Sequence, residues 1–280
     1  MQVNKLEKEF GMLIFDRTKH PTIPTETGKQ IIEQARLILQ ESKKINEIVQ
    51  STKNIIEGEV RLGIIPTLAP YLLHLFINDF LKKYPKVKVY IEELITEQII
   101  DKLQHDLFDI GIVVTPVKEK GLLEMPLFYE EILAYVSKDS SLFTKNRIRI
   151  SDLKSRCNLW VLNKDHCFSS QVINLCFELK KTETPLNLEY QSGSLETLIK
   201  LVDSNGDLTL LPELAADELP KDKKSQLRKF ADISPVREVS IITHRSFVKK
   251  ELIGLLKAEI LAKIPPEMKS NKKRQVIEWK

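Results

Sequence analysis

Glu59-Val60-Arg61-Leu62-Gly63-Ile64-Ile65-Pro66-Thr67-Leu68-Ala69-Pro70-Tyr71-Leu72-Leu73 passes from strand to helix in one short stretch. Val60 to Ile65 is a dense β-branched and apolar run, Pro66 interrupts it, and Pro70 stands where a helix begins. Apolar residues then recur at helical spacing from Pro70 to Tyr84. The alternation continues outward, with strand Val87 to Leu94, helix Thr96 to Gln104 and strand Asp109 to Val114. Such alternation predicts a mostly parallel sheet covered by helices. A second set starts near Glu130 with strand Ile132 to Ser137. It runs on through strand Leu188 to Tyr190, helix Ser194 to Asp203 and strand Leu208 to Leu211. Strand Arg237 to Thr243 and helix Lys249 to Ile260 close the pattern. The reading is α/β, two lobes joined by crossings near 129–131 and 233–237.

The front of the chain differs. Residues 1–13 form an amphipathic helical pattern, with Val3, Leu6, Phe10 and Leu13 on one face and Gly11 near its end. Ile14 to Thr25 is basic and punctuated by Pro21 and Pro24, which suits a tight hairpin or wing. Thr25, or alternatively Thr27, caps a long helix over about 26–56. Ile31, Ala35, Ile38, Ser42, Ile45 and Val49 recur at alternating four- and three-residue steps, widened by Ile32, Leu39 and Ile48. A helix of that length cannot bury its stripe against itself, so it predicts packing on a partner chain. Gly58 ends it. Lys269 to Lys280 reads as a solvated basic tail.

Composition sets the class. The chain has 280 residues, 42% hydrophobic and 29% charged, enough for about two domains with adequate cores. It has no apolar run long enough for a transmembrane helix, and its N-terminus is too charged for a secretory signal. A net charge of +4 permits nucleic-acid binding without demanding it. Three cysteines argue against a structural disulfide framework. The sequence shows no Gly-rich phosphate loop, metal-ligand cluster or Ser/His/Asp spacing. The expectation is therefore no enzyme, no cofactor and no metal.

Two of the cysteines, Cys167 and Cys176, lie nine positions apart in Asp165-His166-Cys167-Phe168-Ser169-Ser170-Gln171-Val172-Ile173-Asn174-Leu175-Cys176. On one continuous helix their sulfurs would face opposite ways, more than about 10 Å apart. A disulfide needs Cα atoms within about 7 Å. Either both are buried core cysteines, or they bond only when the segment changes shape.

Several motifs resemble LysR-type transcription regulators. Val-Asn-Lys-Leu-Glu-Lys-Glu-Phe-Gly-Met-Leu-Ile-Phe-Asp-Arg at 3–17, with Pro24-Thr25-Glu26-Thr27-Gly28, resembles the end of that family's recognition helix, its wing and its linker helix. Leu62 to Leu73, Gly193 to Leu198 and Thr209 to Pro212 resemble the sensor domain of the peroxide-responsive OxyR group. His166-Cys167, eight further residues and Cys176 match that group's redox motif. The resemblance implies a two-lobed, periplasmic-binding-protein-like sensor domain after a linker helix and a remnant of a winged helix-turn-helix domain. The implied divisions are 1–24 for the remnant, 25–57 for the linker and dimerisation helix, 58–130 plus 236–268 for lobe I, 131–235 for lobe II and 269–280 for the tail.

The same resemblance makes Cys167 the peroxide-reacting cysteine and Cys176 the resolving one, with His166, Thr67 and Thr96 around the thiolate. It also implies a cytoplasmic homodimer or homotetramer that acts as an activator on promoter DNA with RNA polymerase, without a membrane. Gln2, Asn4, Lys5, Arg17 and Lys19 would be what remains of the DNA reader. The chain begins inside the recognition helix, about thirty residues short of a complete reader, so weak or no specific DNA binding is expected. Two positions depart from the group. Ser169 replaces an arginine, which predicts a less acidic thiol unless another cation such as Arg237 serves, and Asp207 replaces a common glycine. Cys157 has no partner in the motif and reads as a small buried hydrophobe. The alternatives are a LysR-type regulator binding a small molecule in the inter-lobe cleft, and a solute-binding protein.

Overall fold

The computed structural model describes residues 2–51, 56–154, 159–175, 193–245, 250–271 and 274–279. They fall into two compact units, 1–55 and 56–280.

In the first unit, helix α1 (Gln2–Phe10) leads into strands β1 (Phe15–Asp16) and β2 (Ile23–Pro24). The strands pair antiparallel as the expected hairpin. Glu7, not the apolar stripe, is the residue α1 buries. Its carboxylate accepts from the Ile14 and Phe15 amides at 2.8 and 3.1 Å and from Arg17 at 2.8 Å, which fixes the turn after the helix. Val3, Leu6, Phe10 and Leu13 stand exposed. The Thr25 hydroxyl accepts from the Gly28 amide at 2.9 Å and so caps helix α2 (Glu26–Ser51). Gly28 is required by close approach, since a Cβ there would lie 1.9 Å from the Ile14 carbonyl oxygen. Along α2, Leu37, Ile38, Leu39 and Ile45 are exposed.

The second unit opens with β3 (Gly58–Ile64), α3 (Ala69–Lys83), β4 (Val87–Glu93), α4 (Thr96–Gln104) and β5 (Ile110–Thr115). These reproduce the alternation read from sequence, and β4, β3 and β5 are parallel neighbours. β6 (Leu122–Val136) then serves both lobes. Its first part pairs antiparallel with β11 (Pro235–His244), and its last residues, Ile132 to Val136, pair with β9 (Leu208–Pro212). Around that second sheet lie β7 (Arg147–Ile148), β8 (Leu159–Trp160), α5 (Cys167–Leu175), α6 (Leu195–Asn205), α7 (Glu213–Asp217), α8 (Lys221–Lys224) and β10 (Leu227–Phe230). Helix α9 (Lys250–Lys263) returns to pack on α3, and β12 (Gln275–Val276) ends the chain.

Two expectations need correction. The sheet is mixed rather than mostly parallel, because β6 and β11, the strands that carry the chain between lobes, pair antiparallel with each other, β11 with β5 and β6 with β9. The basic end is not a solvated tail. Its β12 pairs in parallel with β11, and Ile277 and Trp279 are buried. The expected strand Leu188 to Tyr190 lies outside the described residues.

Candidate functional site

The site is built where the two lobes meet. Cys167 is the first residue of α5, opened by the Ser169 amide donating to the His166 carbonyl at 2.9 Å. It is buried, and burial pushes its thiol above the ordinary value. Arg237, the Thr96 hydroxyl and the Phe168 amide pull the other way, with Arg237 the largest of these, while Glu97 adds to the rise. A buried thiol beside a cation is a thiol whose ionisation the surroundings control.

Arg237 is the residue that sequence reasoning could not place. It sits on β11, fully buried, directly opposite Glu130 on β6. Its Nε donates to Glu130 Oε2 at 2.7 Å. Its two terminal nitrogens donate to the Thr67 hydroxyl and carbonyl at 2.9 and 3.0 Å. The guanidinium also lies over the ring of Phe168, the residue after Cys167, 5.3 Å from its centre. Glu130 in turn accepts from the Leu214 amide at 2.8 Å, so one carboxylate joins both lobes. The signal for this pair was an arginine and a glutamate, each within a largely apolar strand that carries other polar residues as well.

The other residues singled out from the sequence divide. Thr67 sits in the turn between β3 and α3, committed to Arg237 rather than capping a strand end. Thr96 is buried at the first position of α4, with Ile95 in the capping position. Among the described residues its hydroxyl has no hydrogen-bond partner, although it lies near enough to the thiol to lower its pKa. His166 is buried, and burial depresses its pKa, so at neutral pH it is a neutral neighbour of Cys167 rather than a cation. Ser169 is also buried, its hydroxyl without a partner among the described residues. Cys176 and Cys157 lie outside the described residues.

Geometry still limits the pair. α5 is continuous to Leu175, whose Cα is about 12 Å along the axis from that of Cys167. Consecutive Cα atoms are about 3.8 Å apart. α5 thus holds Cys167 about 12 Å from the residue that precedes position 176, and a disulfide between positions 167 and 176 requires the helix to open.

Motif residues also link the lobes. The Tyr71 hydroxyl on α3 donates to Glu196 on α6 at 2.5 Å, and Ser194 donates to the same carboxylate at 2.6 Å. Burial and that carboxylate hold the Tyr71 phenol far above its ordinary pKa.

At the front, Gln2, Asn4, Lys5 and Lys19 are exposed. Arg17 is exposed as well, its guanidinium bonded to Asn4 at 2.5 Å and to Glu7 at 2.8 Å.

A shared central strand, two α/β lobes and a buried polar cluster between them define a two-lobed ligand- or signal-responsive regulatory domain. Residues 54–263 match the LysR substrate binding domain. The chain belongs to the LysR family and, within it, to the OxyR type. It is 30% identical to the "Hydrogen peroxide-inducible genes activator" of Haemophilus influenzae over 214 residues, 76% of this chain and 70% of that protein. It is likewise 30% identical to the "DNA-binding transcriptional dual regulator OxyR" of Escherichia coli, covering 80% of this chain and 71% of the relative. The full-length OxyR structure from Pseudomonas aeruginosa superposes with a TM-score of 0.76 at 31% identity, covering 94% of this chain and 87% of that one. These relatives are transcription regulators, not enzymes. No described helix is long and apolar enough to cross a membrane.

Proposed function

We propose that this chain is a hydrogen-peroxide-responsive transcription regulator switched by a reversible Cys167–Cys176 disulfide. The Cys167 thiolate attacks one oxygen of the peroxide. The S–O bond forms, the O–O bond breaks, and the departing hydroxide takes up a proton to leave as water. The Cys176 sulfur then attacks the sulfenic sulfur, and its thiol proton leaves with the hydroxyl as a second water. Thr96, Thr67 and His166 form the surroundings of the reacting sulfur, and Arg237 supplies the positive charge that Ser169 does not. One observation carries the reading: Cys167 is buried at the start of α5 beside Phe168, whose ring centre lies 5.3 Å from the fully buried Arg237 guanidinium. The helical stripe on α2 supports assembly as a dimer or tetramer that meets promoter DNA and RNA polymerase in the cytoplasm, with Gln2, Asn4, Lys5, Arg17 and Lys19 in the part nearest the DNA. Residues 58–130 with 236–268 are the first lobe and 131–235 the second.

Peptide mapping after micromolar peroxide tests the assignment. Wild-type and Cys157→Ser chains should both form the Cys167–Cys176 disulfide, and Cys167→Ser should form none. A response that survives loss of Cys167 but not of Cys157 would overturn it.

A further inference from the structure

We infer that the C-terminal segment 275–279 is a positioning element for the thiol chemistry, holding α5 helical and so setting how readily the disulfide closes. Gln171 and Asn174 follow Cys167 by four and seven residues, which puts all three on one face of α5. Both side chains bind the chain's end. Gln171 Nε2, fully buried, donates to the Ile277 carbonyl at 2.5 Å, and Asn174 Nδ2 donates to the Glu278 carbonyl at 2.8 Å.

The segment they grip is itself anchored to the other lobe. The Ile277 amide donates to the Val236 carbonyl at 2.8 Å, one residue before Arg237. Trp279 is buried and its Nε1 donates to the Val114 carbonyl at 3.1 Å, while Lys118 pairs with Glu278 at 2.6 Å. Residue 277 thus bonds to β11 through its N–H and to α5 through its C=O. The clamp belongs to the thiol face of the helix rather than to its exposed side, where Ile173 points outward.

This inference rests on the disulfide switch proposed above. In that reaction the Cys176 sulfur bonds to the Cys167 sulfenic sulfur and water leaves, and the geometry of α5 forbids this until the helix opens. Opening it removes the residues that hold Gln171 and Asn174 in register with the C-terminal carbonyls. The clamp therefore stabilises only the reduced form, and the two must be coupled reciprocally.

Equilibrating the full chain in thiol–disulfide buffers of known potential tests this. Two ordinary side-chain hydrogen bonds correspond to a factor on the order of ten in equilibrium. Gln171→Met with Asn174→Ala should raise the disulfide-to-dithiol ratio at fixed poise about tenfold, equivalent to ~30 mV in midpoint potential. In the wild-type chain, amide exchange of 275–279 should be about tenfold faster in the oxidised form. That second measurement decides the matter if the variant fails to fold. A disulfide that forms while tail exchange stays the same, or a variant with an unchanged potential, overturns the clamp alone. If no Cys167–Cys176 disulfide forms in any condition, the switch falls and the clamp falls with it.

Discussion

At the scale of single residues, the site is a contest over one thiol. Burial raises the pKa of Cys167, and Arg237 opposes it from the neighbouring strand. Because the thiolate is the reacting species, the thiol form dominates below the raised pKa and the rate follows the thiolate fraction. At fixed peroxide, the oxidation rate of Cys167 should climb about tenfold per pH unit from 6 to 8. Stopped-flow measurements flat across that range would mean that Arg237 has already made the group a thiolate. Cys167, Thr67, Thr96 and His166 were named from the sequence by resemblance, and the structure shows each of them buried. Arg237 and Glu130 were not legible in the sequence, since only the register of β6 against β11 brings them face to face. The aspartate that stands in place of a common glycine at position 207 also becomes physical here. Its φ is +69°, a left-handed conformation that glycine adopts at little cost and aspartate tolerates better than most.

At the scale of elements, legibility followed periodicity. The strands and helices from β3 to β5 were read nearly to their ends because each carries a clean pattern. The first half of β6 was missed. It contains Pro126, which is tolerated where the pairing with β11 shifts register between Val239 and Ser240. β12 was missed because its few apolar residues lie in a lysine-rich segment and its pairing partner is distant in sequence. Helix α2 is the converse, a plain pattern whose apolar residues stand exposed on the described chain. Its stripe should close against a second copy. Sedimentation at micromolar concentration should show at least a dimer, and Ile38→Glu with Ile45→Glu should dissociate it by roughly tenfold or more in Kd. A monomeric wild-type chain would refute this role.

At the scale of the whole regulatory unit, the buried Arg237–Glu130 pair carries more consequence than its two residues suggest. Removing one member strands a charge in the interior, which costs about 3–5 kcal/mol. Glu130→Leu should therefore lower the unfolding free energy by that amount in denaturant titration. Glu130→Leu with Arg237→Met should recover a good part of it. A single variant within about 1 kcal/mol of wild type would show that the pair is not the structural lock its burial implies.

The sharing of β6 between both sheets has a mechanical corollary. Among the described residues, β6 carries the chain from one sheet to the other as a continuous hydrogen-bonded ribbon. The bonded carboxylate at Glu130 lies where that ribbon leaves one sheet for the other. A twist of one lobe against the other would therefore strain the Glu130 hydrogen bonds first.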